Sequence, residues 1–227
     1  MNTRSIFHSL YPQDKEKFVR RFFPTARDLL LKRCLRHLSL AHHENVLVIG
    51  AGEDPYRYLF AHAKKYICID IEETPGVTDV IADAHALPFG RDQFDCVFST
   101  EVMEHLRDPF VFIHEVNRVL RTEGEAVVTV PFLFHQHAQP YDYWRPTYHS
   151  LVSLFSDFSE SEILSHGNRL HSLSDLITTS FAPRSVWQGV FFLLRIFNHA
   201  LMMAPDSVLF TENKTTAPCG FLVAAKK

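Results

Sequence analysis

The sequence lacks the features that mark thiolate metal sites and nucleic-acid binders. Only four of its 227 residues are cysteines, and none forms a C-x-x-C pair, so neither a zinc-thiolate site nor a redox motif is indicated. The formal net charge is -3, which gives no electrostatic argument for a nucleic-acid partner. We therefore expect that the protein does not bind nucleic acid.

Long apolar runs are also missing. Residues 181–204 form the most apolar segment, but Gln188, Arg195, Asn198 and His199 interrupt it, which excludes a transmembrane span. We expect a helix here that covers a sheet edge or forms a homodimer, with peripheral contact to a membrane surface as the alternative. The start Met1-Asn-Thr-Arg is not a signal peptide, so we expect a cytoplasmic protein.

The composition and the order of predicted elements indicate an α/β enzyme. With 46% hydrophobic residues the chain can bury a full core, and its length favours a single domain over residues 1–227. We divide that domain into a helical prefix (1–43), a core (44–131) and a C-terminal elaboration (132–227). Apolar runs alternate with helical patterns through the core, which predicts a parallel sheet with helices on both faces. The predicted strands are 46–49, 66–69, 77–82, 94–99 and 126–130, and the predicted helices are 13–23, 25–40, one starting at 55, and 111–120.

A glycine turn between two apolar strands is the most informative motif. The segment Val46-Leu-Val-Ile-Gly-Ala-Gly-Glu-Asp-Pro55 reads as a buried strand, a sharp turn and a helix start. Gly50 and Gly52 allow a ligand to approach the backbone. Asp70 ends the next strand about 20 residues on, where such folds place a carboxylate against ribose hydroxyls.

The chemistry of this turn distinguishes between two cofactor classes. A dinucleotide fingerprint needs a third glycine at position 55, which is Pro55. Glu53 and Asp54 stand where a pyrophosphate would lie, and two carboxylates there favour the cationic S-adenosylmethionine instead. Asp54 and Pro55 also suit the N-cap and first position of a helix, and the two interpretations are compatible.

Four blocks in this order resemble one branch of the class I S-adenosylmethionine-dependent methyltransferases, the methyltransferase type 11-like proteins. The blocks are Gly50-Ala-Gly-Glu-Asp-Pro-Tyr56, Asp83-Ala-His-Ala-Leu-Pro-Phe89, Glu101-Val-Met-Glu-His105 and His137-Ala-Gln-Pro-Tyr-Asp-Tyr-Trp-Arg-Pro-Thr147. The resemblance implies a Rossmann-like, mostly parallel seven-stranded sheet, closed by an antiparallel strand at 219–225. The resemblance also implies that S-adenosylmethionine is the cofactor. The residues expected to bind it are Gly50, Ala51, Gly52, Glu53, Asp54, Asp70, Ile71, Asp83, Ala84 and Thr100.

The chain departs from the superfamily pattern at two positions. Val48 stands where an acid is usual, and Asp54 where a third glycine is frequent. We expect Glu53 or Asp54 to take over the contact with the methionine end of the cofactor.

Asp83 is the candidate for the adenine contact. An adenine needs an acceptor for its exocyclic amine and an apolar slot for its faces, which Asp83 and Ala84 with Leu87 and Phe89 offer. The alternative is a turn carboxylate that accepts from local backbone amides.

Methyl transfer needs a base only where the nucleophile must lose a proton. The candidates are His137, in a loop after a strand, and His105, which by resemblance is also frequently an architectural hydrogen-bonding residue. A metal set of His135, His137, Asp142 and His149 lacks the regular spacing of a committed site, so we expect no metal.

The acceptor site is predicted at Asp142, Tyr143, Trp144 and Arg145. Flat aromatic faces, a carboxylate and a guanidinium suit a sugar-like acceptor. Alternatively, Asp142 and Arg145 pair with each other and cap a helix that begins near Pro146. The expected function is methylation of a small molecule, at an oxygen of a saccharide or lipid-linked intermediate. Two alternatives are a non-catalytic binding protein and a quinone or lipid methyltransferase at a membrane surface.

Overall fold

A computed structural model describes residues 26–38, 40–179 and 217–227. Helix α1 spans Ala26–His37, α2 Pro109–Val119, α3 Tyr148–Leu154 and α4 Arg169–Thr179. The strands are β1 Asn45–Ile49, β2 Lys65–Asp70, β3 Val80–Ile81, β4 Phe94–Thr100, β5 Leu120–Pro131, β6 Glu160–His166 and β7 Gly220–Lys226. The predicted helix at 13–23 and the apolar segment at 181–204 lie outside the described residues.

The strands form one seven-stranded sheet in the order β3-β2-β1-β4-β5-β7-β6. The first five are parallel, and β7 runs antiparallel between β5 and β6. The direction of strand addition reverses between β1 and β4, and open α/β sheets bind ligands at the carboxyl ends of strands beside such a point. The expected class I methyltransferase architecture and the antiparallel closing strand are confirmed.

Both faces of the central strands are buried, which explains why β1 is a continuous apolar run. Leu47 and Ile49 pack toward one face, where α2 contributes Phe112. Val46 and Val48 pack toward the other, where α1 contributes Leu35. The side chains of Cys68 and Cys96 are fully buried in β2 and β4.

Three predicted elements differ from the structure. The chain after Pro55 forms only a short 3-10 helix at Arg57–Phe60, rather than an α-helix. The strand predicted at 77–82 shrinks to Val80–Ile81, because residues 74–78 are tied into a turn by the Thr78 side chain. Strand β5 begins at Leu120, six residues earlier than predicted, since its irregular start pairs Leu120 with Phe94.

Helices α2 and α3 each begin at a residue whose side chain caps them, and α2 starts two residues before the predicted position 111. Asp108 accepts hydrogen bonds from the amides of Phe110 and Val111, with Pro109 at the first helical position. Thr147 accepts from the Ser150 amide at the start of α3. Among the helices in the described ranges, none is long and apolar enough to cross a membrane.

Candidate active site

The glycine turn joins the end of β1 to the end of β2. Gly50 and Gly52 have φ angles of 69° and 53°, in the left-handed region that glycine tolerates. Asp70 Oδ2 accepts a hydrogen bond from the Gly52 amide at 3.0 Å. A Cβ placed on Gly52 would have no described protein atom within 4 Å, so a ligand can approach the backbone here.

Gly50 has a different environment. A Cβ built on Gly50 would lie 2.2 Å from Val102 Cγ2, a distance that real Cβ contacts do not reach. The segment after β4 therefore packs directly on the glycine turn. Gly50 is required for this close approach, whereas Gly52 leaves its own side open.

The carboxylate of Asp54 points into the protein, away from its expected capping role. Its side chain is 7% exposed and accepts from the Tyr66 hydroxyl at 2.8 Å. The N-cap interpretation of Asp54 and Pro55 is wrong, since the 3-10 helix begins after Tyr56 without a side-chain cap. Burial, followed by the hydrogen bond and charge of Asp54, raises the pKa of Tyr66 well above its ordinary value, and burial with the charge of Asp54 raises the pKa of Cys68 to about 12.

Three further cofactor candidates lie in or beside the glycine turn. Ile71 follows Asp70 directly and is 65% exposed. Glu53 lies on the exposed side of the turn. Ala51 is buried beneath the turn with Val48.

Asp83 lies in a turn after β3 and is exposed, while Ala84 is buried in the core beside Leu87. Asp83 Oδ1 accepts from the His85 amide at 2.9 Å and contacts His85 Nδ1 at 2.7 Å. The backbone hydrogen bond and the His85 side chain outweigh burial and hold the pKa of Asp83 below its ordinary value. The local amide contact that we considered as an alternative is present.

The carboxyl end of β4 carries the chain toward the second half of the site. Thr100 is the last residue of β4, and its neighbour Glu101 accepts from the Thr129 hydroxyl at 3.0 Å. A 3-10 helix at Met103–His105 follows. Glu104 in this helix has a fully buried side chain.

The structure brings both predicted catalytic histidines to Glu104. His105 Nε2 lies 3.6 Å from Glu104 Oε1, and His137 Nε2 lies 3.7 Å from the same oxygen. The two imidazole rings stand edge to face with centroids 4.9 Å apart. Both histidine side chains remain about a quarter exposed, at 27% and 26%.

The predicted acceptor segment docks on the same helix. The amides of Tyr143 and Trp144 donate to the Glu104 carbonyl at 2.7 and 3.3 Å. Tyr143 and Trp144 are 41% and 38% exposed, so parts of their rings are accessible. The segment thus presents aromatic surface beside the histidine pair.

Asp142 and Arg145 pair with each other, as in the structural alternative. Arg145 donates to both carboxylate oxygens of Asp142, at 2.6 and 2.9 Å, and the Asp142 side chain is 2% exposed. Arg145 also donates to the Trp144 and His135 carbonyls. Thr147, rather than this pair, caps α3.

Glu104 and Val102 are the contacts that sequence reasoning missed. Glu104 belongs to the block Glu101-Val-Met-Glu-His105, and its position directly before the candidate base His105 could have indicated a role in the site. No local pattern shows that Glu104 also meets His137, which lies 33 positions further on. Of the metal set considered from the sequence, His137 and Asp142 come together, with Nδ1 and Oδ2 3.5 Å apart. The His135 ring stands edge to face with that of His137, at a centroid distance of 6.2 Å, whereas His149 is exposed on α3.

Comparisons with known proteins agree with this geometry. Residues 47–128 match the family described as "Methyltransferase domain". A tRNA U34 carboxymethyltransferase from Shewanella sp. (strain W3-18-1) is 31% identical over 112 residues, covering 42% of this chain and 34% of that protein. The match thus spans about a third of the length of this curated relative.

Solved structures share the fold over most of the chain. A SAM-dependent methyltransferase from Archaeoglobus fulgidus has a TM-score of 0.57 at 18% identity, covering 94% of this chain and 99% of that one. Phosphoethanolamine N-methyltransferase 2 from Haemonchus contortus, solved with S-adenosyl-L-methionine, has a TM-score of 0.56 at 14% identity, covering 93% and 59%. Residues 47–128 thus resemble a methyltransferase domain, and the chain has the fold of S-adenosylmethionine-dependent methyltransferases over most of its length.

Proposed function

We propose that this protein transfers a methyl group from S-adenosylmethionine to a small-molecule acceptor, at an oxygen of a saccharide or lipid-linked intermediate. The observation that carries the proposal is the arrangement of Asp70 beside Gly52. The carboxylate is fixed by the Gly52 amide at 3.0 Å, next to backbone that no described side chain covers. A carboxylate at this position is suited to accept hydrogen bonds from two vicinal ribose hydroxyls.

The remaining cofactor contacts are proposed around this arrangement. Gly50, Ala51 and Gly52 would follow the methionine portion, with Thr100 at the end of the neighbouring strand β4. Ile71 would pack on the adenine face, and Asp83 with Ala84 would meet its edge. These residues all follow strand ends on one edge of the sheet or lie next to them.

Glu53 or Asp54 was expected to replace the acid that is missing at Val48, and the structure gives the two carboxylates different surroundings. Asp54 accepts from the Tyr66 hydroxyl and is almost completely buried. Glu53 lies on the exposed side of the turn. We therefore propose Glu53 as the carboxylate that faces the cationic methionine end of the cofactor.

The reaction breaks the bond between the sulfonium sulfur and its methyl carbon. The electron pair of that bond stays on sulfur and gives the neutral thioether of S-adenosylhomocysteine, while an acceptor oxygen forms the new bond to carbon. A hydroxyl acceptor also loses its proton. We place the acceptor at Asp142, Tyr143, Trp144 and Arg145, with the aromatic rings as its platform and the Asp142–Arg145 pair holding the segment in place.

His105 and His137 are the proposed catalytic residues, because they lie beside this platform and are partly exposed. Their role is to promote loss of the acceptor's proton. Alignment of the acceptor with the sulfonium supplies the larger share of the rate.

The test is a methyl-transfer assay with labelled S-adenosylmethionine and a panel of acceptors. The panel contains free saccharides, lipid-linked saccharides, a quinol and tRNA, and formation of S-adenosylhomocysteine is measured in each arm. We expect turnover in a saccharide or lipid-linked arm, and turnover about 10-fold or more lower with the Asp70→Ala enzyme at limiting S-adenosylmethionine. Turnover confined to the quinol or tRNA arm would contradict the proposed acceptor.

The alternatives are distinguished in the same preparations. A non-catalytic binding protein would give no product in any arm. A membrane-surface enzyme would float with liposomes. This alternative and the homodimer both rest on the apolar segment 181–204, which lies outside the described residues. The tRNA arm is included because the Shewanella relative is named for tRNA U34, although the net charge of -3 argues against that substrate.

A further inference from the structure

We propose that Glu104, His105 and His137 form a binding site for a divalent transition-metal ion. One ligand atom from each residue lies within 4.8 Å of the other two. This goes beyond the proposed methyl transfer and revises the expectation, drawn from sequence spacing, that the protein holds no metal. The existence of the site stands on geometry alone, whereas its use in catalysis rests on the proposed function.

The separations between the three side chains suit ligands of one ion better than direct hydrogen bonds. The two Nε2 atoms lie 3.6 and 3.7 Å from Glu104 Oε1. A hydrogen bond between such groups has its atoms about 2.7–3.2 Å apart. Two ligands each about 2.1 Å from a tetrahedrally coordinated ion lie about 3.4 Å from one another.

The outer nitrogens of both imidazoles face groups that can orient them. His105 Nδ1 lies 2.5 Å from the Tyr141 carbonyl oxygen, which can only accept, so Nδ1 carries the proton and Nε2 turns a lone pair toward Glu104. His137 Nδ1 lies 3.5 Å from the Asp142 carboxylate. Metal-binding histidines characteristically donate their second N–H to a carbonyl or carboxylate in this way.

One contact competes with this orientation of His137. Arg145 Nη2 lies 3.4 Å from His137 Nδ1. The same nitrogen donates to Asp142 at 2.9 Å and to the His135 carbonyl at 3.2 Å, so the contact with His137 is its longest. Metal binding through His137 Nε2 places the proton on Nδ1, where the acceptor within reach is the Asp142 carboxylate, 3.5 Å away, and not the guanidinium, which can only donate.

A second histidine and carboxylate group in the described part of the chain has a different geometry. His42, His43 and Glu125 also come together. There, however, His43 Nε2 and Glu125 Oε2 are 2.9 Å apart, which is a direct hydrogen bond between the ligand atoms themselves. This group provides an internal comparison for the experiment.

The ligand set indicates the class of ion. Two imidazoles with one carboxylate suit zinc and its first-row neighbours, whereas magnesium prefers oxygen ligands and retains its waters. Three protein ligands leave a coordination position for a further oxygen. An acceptor hydroxyl bound there would lose its proton more easily, which links the site to the role proposed for the two histidines.

Zinc binding to the full chain tests the inference. The protein is first dialysed against a chelator and then titrated with a zinc salt by calorimetry, using wild type, His105→Ala and His137→Ala. His42→Ala probes the second group, and His149→Ala serves as the matched control, because His149 is exposed on α3. We expect zinc affinity to fall by about 10-fold or more in the first two variants, since even changes behind a ligand cost 10- to 100-fold. The two controls should match wild type.

Three results would overturn the metal site. They are no zinc binding at micromolar concentration, equal zinc affinity in all variants, and a loss of affinity confined to His42→Ala. Glu104→Gln is measured as a further variant, and because its buried side chain affects folding, the two partly exposed histidines carry the test. S-adenosylhomocysteine is titrated into the same preparations. Cofactor binding without zinc binding overturns only the metal site, and zinc binding without cofactor binding contradicts only the proposed function.

Discussion

The two halves of the site are built in different ways. The cofactor half consists of the glycine turn and Asp70, whose contact joins positions 18 apart through a backbone amide. The acceptor half joins more distant positions through side chains, as where the His105 imidazole meets the Tyr141 carbonyl 36 positions further on, and it contains the Asp142–Arg145 ion pair. The first half therefore depends on backbone conformation, and the second on a network of charged and polar side chains.

The largest effect should come from Gly50→Ala, which challenges the backbone half. Its new Cβ would meet Val102 Cγ2 at 2.2 Å, and its φ of 69° strains any other residue. We expect a loss of about 2 to 4 kcal/mol in the free energy of unfolding, measured in urea.

Gly76→Ala is the matched control for Gly50. Gly76 has a φ of 77°, but a Cβ there meets nothing within 4 Å, so only backbone strain of about 1 to 2 kcal/mol should appear. Adding Val102→Ala to Gly50→Ala should restore part of the loss. Equal destabilisation of the two glycine variants would show that the Val102 contact is unimportant.

Asp70→Ala tests the cofactor half at its carboxylate. We expect S-adenosylhomocysteine to bind about 1.5 to 3 kcal/mol more weakly by calorimetry, because charge-assisted hydrogen bonds to ribose are lost. Asp157→Ala, which removes an exposed carboxylate after α3, should bind like wild type. An unchanged affinity in the Asp70 variant would remove Asp70 from the cofactor site.

Arg145→Lys tests the side-chain half. Lysine cannot reproduce the bidentate contact with Asp142, and we expect a loss of about 1 to 2 kcal/mol of stability near neutral pH. Arg91→Lys is the control, since Arg91 is an exposed residue of a turn and should change stability little. Equal stabilities of Arg145→Lys and wild type would contradict a structural role for the ion pair with Asp142 and would favour a role of Arg145 in binding the acceptor.

The same pair predicts a pH dependence. Burial raises the pKa of Asp142, but hydrogen bonds from Arg145 and the His137 amide outweigh it and hold the pKa below the ordinary 3.8. A lowered folded-state pKa gives stability that is present above the ordinary value and is lost as the pH falls through the folded value. The difference between wild type and Arg145→Lys should therefore shrink below about pH 4.

Tyr66→Phe should have the smallest effect of these substitutions. It removes the hydroxyl that donates to the buried Asp54 at 2.8 Å, at a cost of about 1 kcal/mol in stability. Tyr58→Phe, at a residue that is 51% exposed, is the control. If Tyr66→Phe changes the affinity for S-adenosylhomocysteine and leaves stability unchanged, Asp54 contributes to cofactor binding, contrary to our account.

The contrast between the halves also explains what the sequence could predict. The sheet, the turn and Asp70 follow from local signals, namely an apolar run, paired glycines and a strand-end acid. Asp54 was misjudged because its left-handed φ of 48° and its bond to Tyr66 depend on a neighbouring strand. The group formed by Glu104, His105 and His137 could not be predicted from the sequence, because its contacts depend on how residues 137–145 fold back on the 3-10 helix at Met103–His105.

Calorimetry of the wild-type protein with S-adenosylhomocysteine and with NAD tests the central claim most directly. The exposed carboxylate of Glu53, together with Pro55 where a dinucleotide fingerprint has its third glycine, favours a cationic cofactor without phosphate over a dinucleotide. We expect micromolar binding of S-adenosylhomocysteine and no measurable binding of NAD. Tight binding of NAD, or no heat from S-adenosylhomocysteine with folded protein, would contradict the account.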